Sequence, residues 1–235
     1  RGGAPLQAWR KPPGWLVRPR AFVHSRSSTA RVGGEAMETF LNAFRDGYAR
    51  VAGARERWDD AQKASTALLG AVVNAFERMP ALERGATRED VLGNDEFGKR
   101  VVEAQYASLD RLFTRLREEC DEFERLTREL ERAKTDAWMR TRNLTPPPKR
   151  AGGERSGPQP SIAECVLGLE DVWRMHRDEC ALKREIVKHA ATCEDVEDLK
   201  VLHRLYCAQP NLDPEELRTI MDRVPVKSVE ADLHR

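Results

Sequence analysis

The chain has little of what a compact α/β enzyme needs. Aromatic residues make up 6% of its 235 residues, and no run alternates β-branched or aromatic residues with polar ones in the way that predicts a strand. Charged residues make up 34%, a proportion that favours long solvent-facing helices with narrow apolar stripes. The length is nevertheless sufficient to bury a core. These features predict an all-α protein.

Disulfide and membrane signals are also missing. The five cysteines include no C-x-x-C pair and are odd in number, which is typical of reduced thiols rather than of a disulfide framework. No apolar run approaches the roughly 18 residues that a membrane span requires. We therefore expect a soluble, intracellular protein with no membrane partner.

The net charge of +1 hides an uneven distribution along the chain. Residues 1–36 contain seven basic side chains and one acidic side chain, so the rest of the chain is net negative. Because nucleic-acid binding needs clustered Lys and Arg, this acidic body argues against a direct nucleic-acid partner. The Arg-, Ser-, Pro- and Gly-rich segment 1–36 itself predicts a basic disordered tail, sequence upstream of a true start at Met37, or a mitochondrial targeting segment.

Helical periodicity begins at Met37 and predicts a long hairpin. Apolar residues recur three, four or seven positions apart until Pro80, which is expected to end the first helix because the residue before a proline is pushed out of the helical region. Residues 80–96 indicate a loop with at most one turn of helix, and a second helix is predicted over residues 97–142. Its heptad seam needs a partner, either the first helix or another chain. The a positions of this seam are Leu109, Leu116, Phe123, Leu130 and Ala137.

A Pro/Gly-rich linker and a second helical unit follow. Residues 145–160, TPPPKRAGGERSGPQP, exclude helix and strand and predict a flexible linker. Ser161 and Glu164 then form a capping-box pattern that starts a third helix. Acidic caps at residues 194–195 and 213 start a fourth and a fifth. The predicted fold is therefore all-α: a long helical hairpin or coiled coil over residues 37–144, a C-terminal three-helix module over residues 161–224, and a tail over residues 225–235.

Motifs that carry chemistry are absent from the sequence. There is no G-x-S-x-G, H-E-x-x-H, G-x-G-x-x-G or phosphate-binding loop. Three His–Cys pairs spaced four apart can in principle supply two pairs to a zinc site, but zinc ligands normally flank a tight turn, which favours structural cysteines instead. We expect no enzyme activity, catalytic residue, metal or cofactor, with a small zinc- or thiol-dependent enzyme as the alternative. The pairs are His176/Cys180, His189/Cys193 and His203/Cys207.

Two groups of residues are candidates for partner binding. Arg177, Lys183 and Arg184 are expected to lie opposite the apolar stripe of the third helix, either solvated or docked on an acidic partner. The heptad seam is the second candidate, through coiled-coil packing with a helical partner.

In the order and spacing of short motifs, the chain resembles the AIRIM family of small helical ribosome-maturation factors over roughly residues 37–224. The related CINP family, named for interaction with cyclin-dependent kinase, is similar at the C-terminal end, at Ala181–Arg184 and Gln209-Pro210. The AIRIM-like motifs are Trp58-Asp59-Asp60-Ala61 with Leu68-Leu69 and Asn74, Leu109-Asp110-Arg111-Leu112 with Arg115-Leu116, and Pro160-Ser161-Ile162-Ala163 with Leu169, Asp171 and Arg177.

This resemblance implies a non-enzymatic adaptor subunit of a complex built on a Cdc48-like hexameric AAA ATPase. Such a complex releases and recycles maturation factors from cytoplasmic pre-60S ribosomal particles and acts in replisome protein turnover. The implied partners are the ATPase, a CINP-like helical subunit and, indirectly, the pre-60S particle, in the cytoplasm and nucleus. The alternatives are a CINP-like cell-cycle or DNA-replication checkpoint adaptor and a mitochondrial coiled-coil protein.

Overall fold

A computed structural model describes residues 34–86, 95–142 and 160–224, which form five helices and no strand. The predicted all-α fold, with a long hairpin followed by shorter helices, is confirmed. None of the described helices combines the length and the apolar character that a bilayer span needs. The helices are α1 (Gly34–Ala86), α2 (Asp95–Arg142), α3 (Ile162–Ala190), α4 (Val196–Ala208) and α5 (Pro214–Asp222).

Helix α1 continues through Pro80 to Ala86, so the prediction that Pro80 ends it is wrong. A proline inside a helix removes one backbone hydrogen bond. Met79 before it is buried, however, and Leu82 after it packs against the same core, so apolar contacts on both sides keep the segment helical. Of the rest of the predicted loop, residues 95–96 begin α2 and residues 87–94 lie outside the described residues. The same holds for most of the predicted tail and linker and for all of the C-terminal tail, at 1–33, 143–159 and 225–235.

The predicted caps start the three short helices. The Ser161 hydroxyl accepts a hydrogen bond from the Glu164 N–H at 3.2 Å, and Glu164 Oε2 accepts one from the Ser161 N–H at 2.7 Å. The backbone hydrogen bond from Ser161 lowers the pKa of the Glu164 carboxyl. The Asp195 carboxylate caps α4 by accepting from the Glu197 N–H, and the Asp213 carboxylate caps α5 by accepting from the N–H groups of Glu215 and Glu216. Pro214 occupies the first turn of α5. The capping predictions are confirmed.

Helices α1, α2 and α3 pack side by side in alternating directions. Arg57 of α1 pairs with Glu129 of α2 at 2.7 Å, and Arg184 of α3 pairs with Glu124 of α2 at 2.9 Å. Helix α4 then runs back along α1, where Lys200 Nζ lies 2.7 Å from a carboxylate oxygen of Glu77.

Helix α5 returns to the first half of α3 and crosses it closely. A Cβ added at Gly168 would lie 2.9 Å from both Ile220 Cγ2 and the Tyr48 hydroxyl, so only glycine fits at this crossing without a shift. The Tyr48 hydroxyl donates to the Cys165 carbonyl oxygen at 3.0 Å, which ties α1 to the same place.

One apolar core contains residues from all five helices. The helices of residues 161–224 therefore lie on the hairpin and complete its interior. The heptad seam is filled by the chain itself, so the interpretation of this seam as a free surface for a partner chain is wrong. Its residues Leu109, Leu116, Phe123 and Leu130 are all buried.

Candidate interaction surface

Lys183 lies in the interior, so the expectation that it belongs to an exposed basic face is wrong. Its side chain is 0% exposed, and its Nζ lies 3.3 Å from Glu179 Oε1. Nζ also donates to the Tyr206 carbonyl oxygen at 3.1 Å and lies 4.0 Å from the centre of the Tyr206 ring. Burial lowers the pKa of Lys183, and the Glu179 carboxylate opposes that shift. The spacing in the sequence was the signal that could have predicted this burial, because Lys183 follows the buried Cys180 by three positions on one helix face.

The buried ion pair is part of a polar network that holds the turn between α4 and α5. Glu179 Oε2 accepts hydrogen bonds from the backbone N–H and the side-chain amide of Asn211, both at 3.1 Å. The Trp58 indole N–H donates to Gln209 Oε1 at 2.9 Å. Gln209 has the left-handed φ of 44° that ends α4. These groups bond one another across α1, α3 and the turn, which assigns them a structural role.

His176 belongs to the same interior. Its Nδ1–H donates to the Val172 carbonyl oxygen at 2.8 Å, and its ring meets Trp58 edge-on at a centroid distance of 4.8 Å. Burial lowers the pKa of His176 to about 4. Of the other His–Cys pairs, His203 Nε2 and Cys207 Sγ are 3.6 Å apart. In the part of the chain that the structure describes, no three His, Cys, Asp or Glu side chains converge on a possible metal site.

The buried neutral imidazole makes stability depend on pH. The unfolded chain binds a proton at His176 below about pH 6.5, whereas the folded protein binds it only near pH 4. The unfolded state therefore holds more protons between these values, and the free energy of unfolding falls as the pH is lowered. We expect this group to contribute a loss of about 3 kcal/mol between pH 6.5 and 4.

Urea unfolding of the wild type and His176→Gln at pH 7, 6, 5 and 4 checks this expectation. As the pH falls, the free energy of unfolding of the wild type should decrease more than that of His176→Gln. His189→Gln, at an exposed position on the same helix, is the matched control and should run parallel to the wild type. A parallel course for His176→Gln would show that its protonation is not linked to folding.

The exposed face of α2 and α3 retains two of the three predicted basic residues. Arg184 is exposed and pairs with Glu124 across the two helices. The Arg177 guanidinium lies 4.8 Å from the centre of the half-buried Trp173 ring, and Lys134 Nζ of α2 lies 3.4 Å from it. Trp173 is thus held between two cations on the surface of the bundle.

An apolar groove lies farther along the same two helices, towards the end of α2. Its cavity of about 280 Å³ defines what we term the α2–α3 groove. Trp138 is 57% exposed, and Leu167, beside Val166 in α3, is 56% exposed. The sequence did not predict this site because Trp138 lies off the apolar stripe of its helix. A bulky apolar residue among charged neighbours was the available signal. The groove is lined by Lys134, Thr135, Trp138, Val166 and Glu170.

The fold and this surface define an all-α protein built on a long helical hairpin. Its buried ionisable side chains bond to one another and to the backbone, and an exposed groove lined by a tryptophan lies on one side. A family model described as CA109-like, ribosome biogenesis protein C1orf109-like, matches residues 38–229. The chain belongs to this family, which confirms the resemblance to AIRIM, and the family's description gives a role in ribosome biogenesis. A comparison with curated proteins finds no significant match.

Proposed function

We propose that this chain is a non-enzymatic helical adaptor subunit of a hexameric AAA ATPase complex. The complex releases and recycles maturation factors from cytoplasmic pre-60S ribosomal particles and also acts in replisome protein turnover. The observation that carries the proposal is the family match over residues 38–229. The proposed partners are the ATPase and a CINP-like helical subunit, in the cytoplasm and nucleus.

The state of the buried thiols and ionisable groups supports an adaptor rather than an enzyme. Burial raises the pKa of the Cys180 thiol and raises that of the Cys120 thiol to about 11. A nucleophilic cysteine needs a lowered pKa, since the thiolate is the reactive form. Glu179 and Lys183 are bound to each other and to the backbone away from solvent. The features that remain at the surface are suited to recognition.

Arg177 and Arg184, two of the three exposed arginines of α3, are our proposed contact with the ATPase. Reversing the charge of both, Arg177→Glu with Arg184→Glu, should reduce the association rate with an acidic ATPase surface several-fold, and more strongly at low salt, because charge at the rim of an interface acts mainly on encounter. The matched control is Lys63→Glu with Arg218→Glu. It makes the same change in net charge at exposed ion pairs on α1 and α5 and should leave the rate unchanged.

Size-exclusion co-elution of the purified chain, ATPase and CINP-like subunit, with association rates by surface plasmon resonance, tests the assembly. Depleting the chain in cells should leave recycling factors on cytoplasmic pre-60S particles. A wild-type chain that elutes apart from the ATPase, with and without the helical subunit, would contradict the proposed function. Equal slowing by both double variants would contradict only the assignment of Arg177 and Arg184.

A further inference from the structure

The α2–α3 groove has apolar walls and is open to solvent. The Trp138 ring forms one wall, and Val166, which is only 7% exposed, forms the other. Exposed tryptophan beside aliphatic surface is the composition of interface anchors rather than of ordinary solvated helix. The cavity of about 280 Å³ lies just below the roughly 300–1,000 Å³ of small-molecule sites, so its size suits the side chains of a partner protein.

The charges of the groove leave one group without a counterpart. Lys134 Nζ is engaged by the Trp173 ring at 3.4 Å, and the Thr135 hydroxyl donates to the Glu131 carbonyl oxygen at 2.8 Å. Glu170 is exposed, and within the described residues no side chain pairs with its carboxylate and no donor bonds to it. The unpaired charge of the groove is therefore the negative Glu170 carboxylate, which favours a Lys or Arg on the partner.

The geometry selects a helix as the occupant. Trp138 follows Lys134 by four positions on α2, and Glu170 follows Val166 by four positions on α3, so the apolar and polar parts of the groove are about 6 Å apart along the helix axes. A helix presents side chains four positions apart on one face at the same spacing. An extended segment docked here would bury backbone N–H and C=O groups without partners, because the backbone hydrogen bonds of α2 and α3 are already made within each helix. A docked helix satisfies its own backbone hydrogen bonds internally.

We propose that the α2–α3 groove is the docking site for one amphipathic helix of the CINP-like helical subunit. That helix places a large apolar side chain between Trp138 and Val166 and a Lys or Arg, one turn away, against Glu170. The assignment rests on the proposed function for the identity of the subunit, and on the groove for the place and chemistry of contact.

Binding of the purified CINP-like subunit to the complete chain, measured by calorimetry, tests the groove. Trp138→Ala should weaken binding at least 10-fold, because interface anchors of this type dominate binding energy. Val201→Asp is the matched control, since Val201 is a large exposed apolar residue on α4, far along the chain from the groove, and should bind as the wild type does. Thermal unfolding of each variant verifies that the fold is retained.

A photoreactive benzoylphenylalanine in place of Thr135, an exposed residue that lines the groove, identifies the occupant directly. The expected crosslink joins it to a segment of the subunit with a Lys or Arg within one helical turn. Glu170→Lys should weaken binding, and reversing that basic residue to Glu should restore it. A crosslink to the chain itself or to a second copy, or groove variants that bind as the wild type does, would overturn the docking assignment alone. A wild-type chain that does not bind the subunit would overturn both this assignment and the proposed partner.

Discussion

Deleting residues 161–224 is expected to unfold the hairpin that remains. Sequence patterning presents this segment as a module beyond a hinge, which predicts that each part can stand and bind alone. In the structure its apolar residues lie in the same core as those of α1 and α2. Burial of one large apolar side chain contributes roughly 1.5–3 kcal/mol, so five of them approach the whole stability of about 5–15 kcal/mol. Such residues include Leu169, Val172, Ile186, Leu199 and Ile220.

The measurement is circular dichroism and size-exclusion chromatography of the chain that lacks residues 161–224. We expect loss of cooperative melting and association through the exposed seam. The matched control is the full chain carrying a protease site within residues 145–160, cut after folding. Its two halves should co-elute and melt together, because what joins them is the core and not the peptide linker. A soluble hairpin with a sharp thermal transition would contradict this expectation.

Local signals predicted the helices well because they act within a few residues. The Ser161–Glu164 capping box and the Asp213-Pro214 start each satisfy nearby backbone groups, and both are present in the structure. The heptad of α2 identified residues that are buried. A heptad indicates only that its apolar a and d residues must be buried against another helix. Whether α1, α3 or another chain covers them depends on contacts between residues far apart in sequence.

The errors arose where tertiary contacts override local preference. Pro80 disfavours helix, but apolar packing on both sides maintains it. Lys183 was placed opposite the apolar stripe of α3 together with Arg177 and Arg184, and lysine seldom lies in a core. Its burial depends on Glu179 in the same helix and on the Tyr206 carbonyl group, and the second of these cannot be located from the sequence of α3. Trp138 was overlooked because helical periodicity identifies apolar residues on the buried face, and Trp138 lies off that face.

Lys183→Met is expected to destabilise the protein by about 3–5 kcal/mol. The change keeps the length of the side chain but leaves the Glu179 charge buried with only the Asn211 donors, and an uncompensated buried charge is costly. The Tyr206 carbonyl oxygen still accepts from Gln62 at 3.2 Å, so the effect comes mainly from the carboxylate. The matched control is Lys188→Met. Lys188 is exposed on the same helix, pairs with Glu185 at 3.6 Å, and should change stability little.

The double variant Lys183→Met with Glu179→Gln separates the two contributions of the pair, as measured by guanidinium unfolding. It should recover most of the lost stability, because the amide oxygen still accepts from Asn211 and no charge remains buried. A double variant as unstable as the single would show instead that the lysine itself holds α3 against the end of α4. Recovery would mean that the pair contributes little net stability. Its role would then be to fix the position of the turn at residues 209–211, since any other placement of that turn leaves a buried charge without a partner.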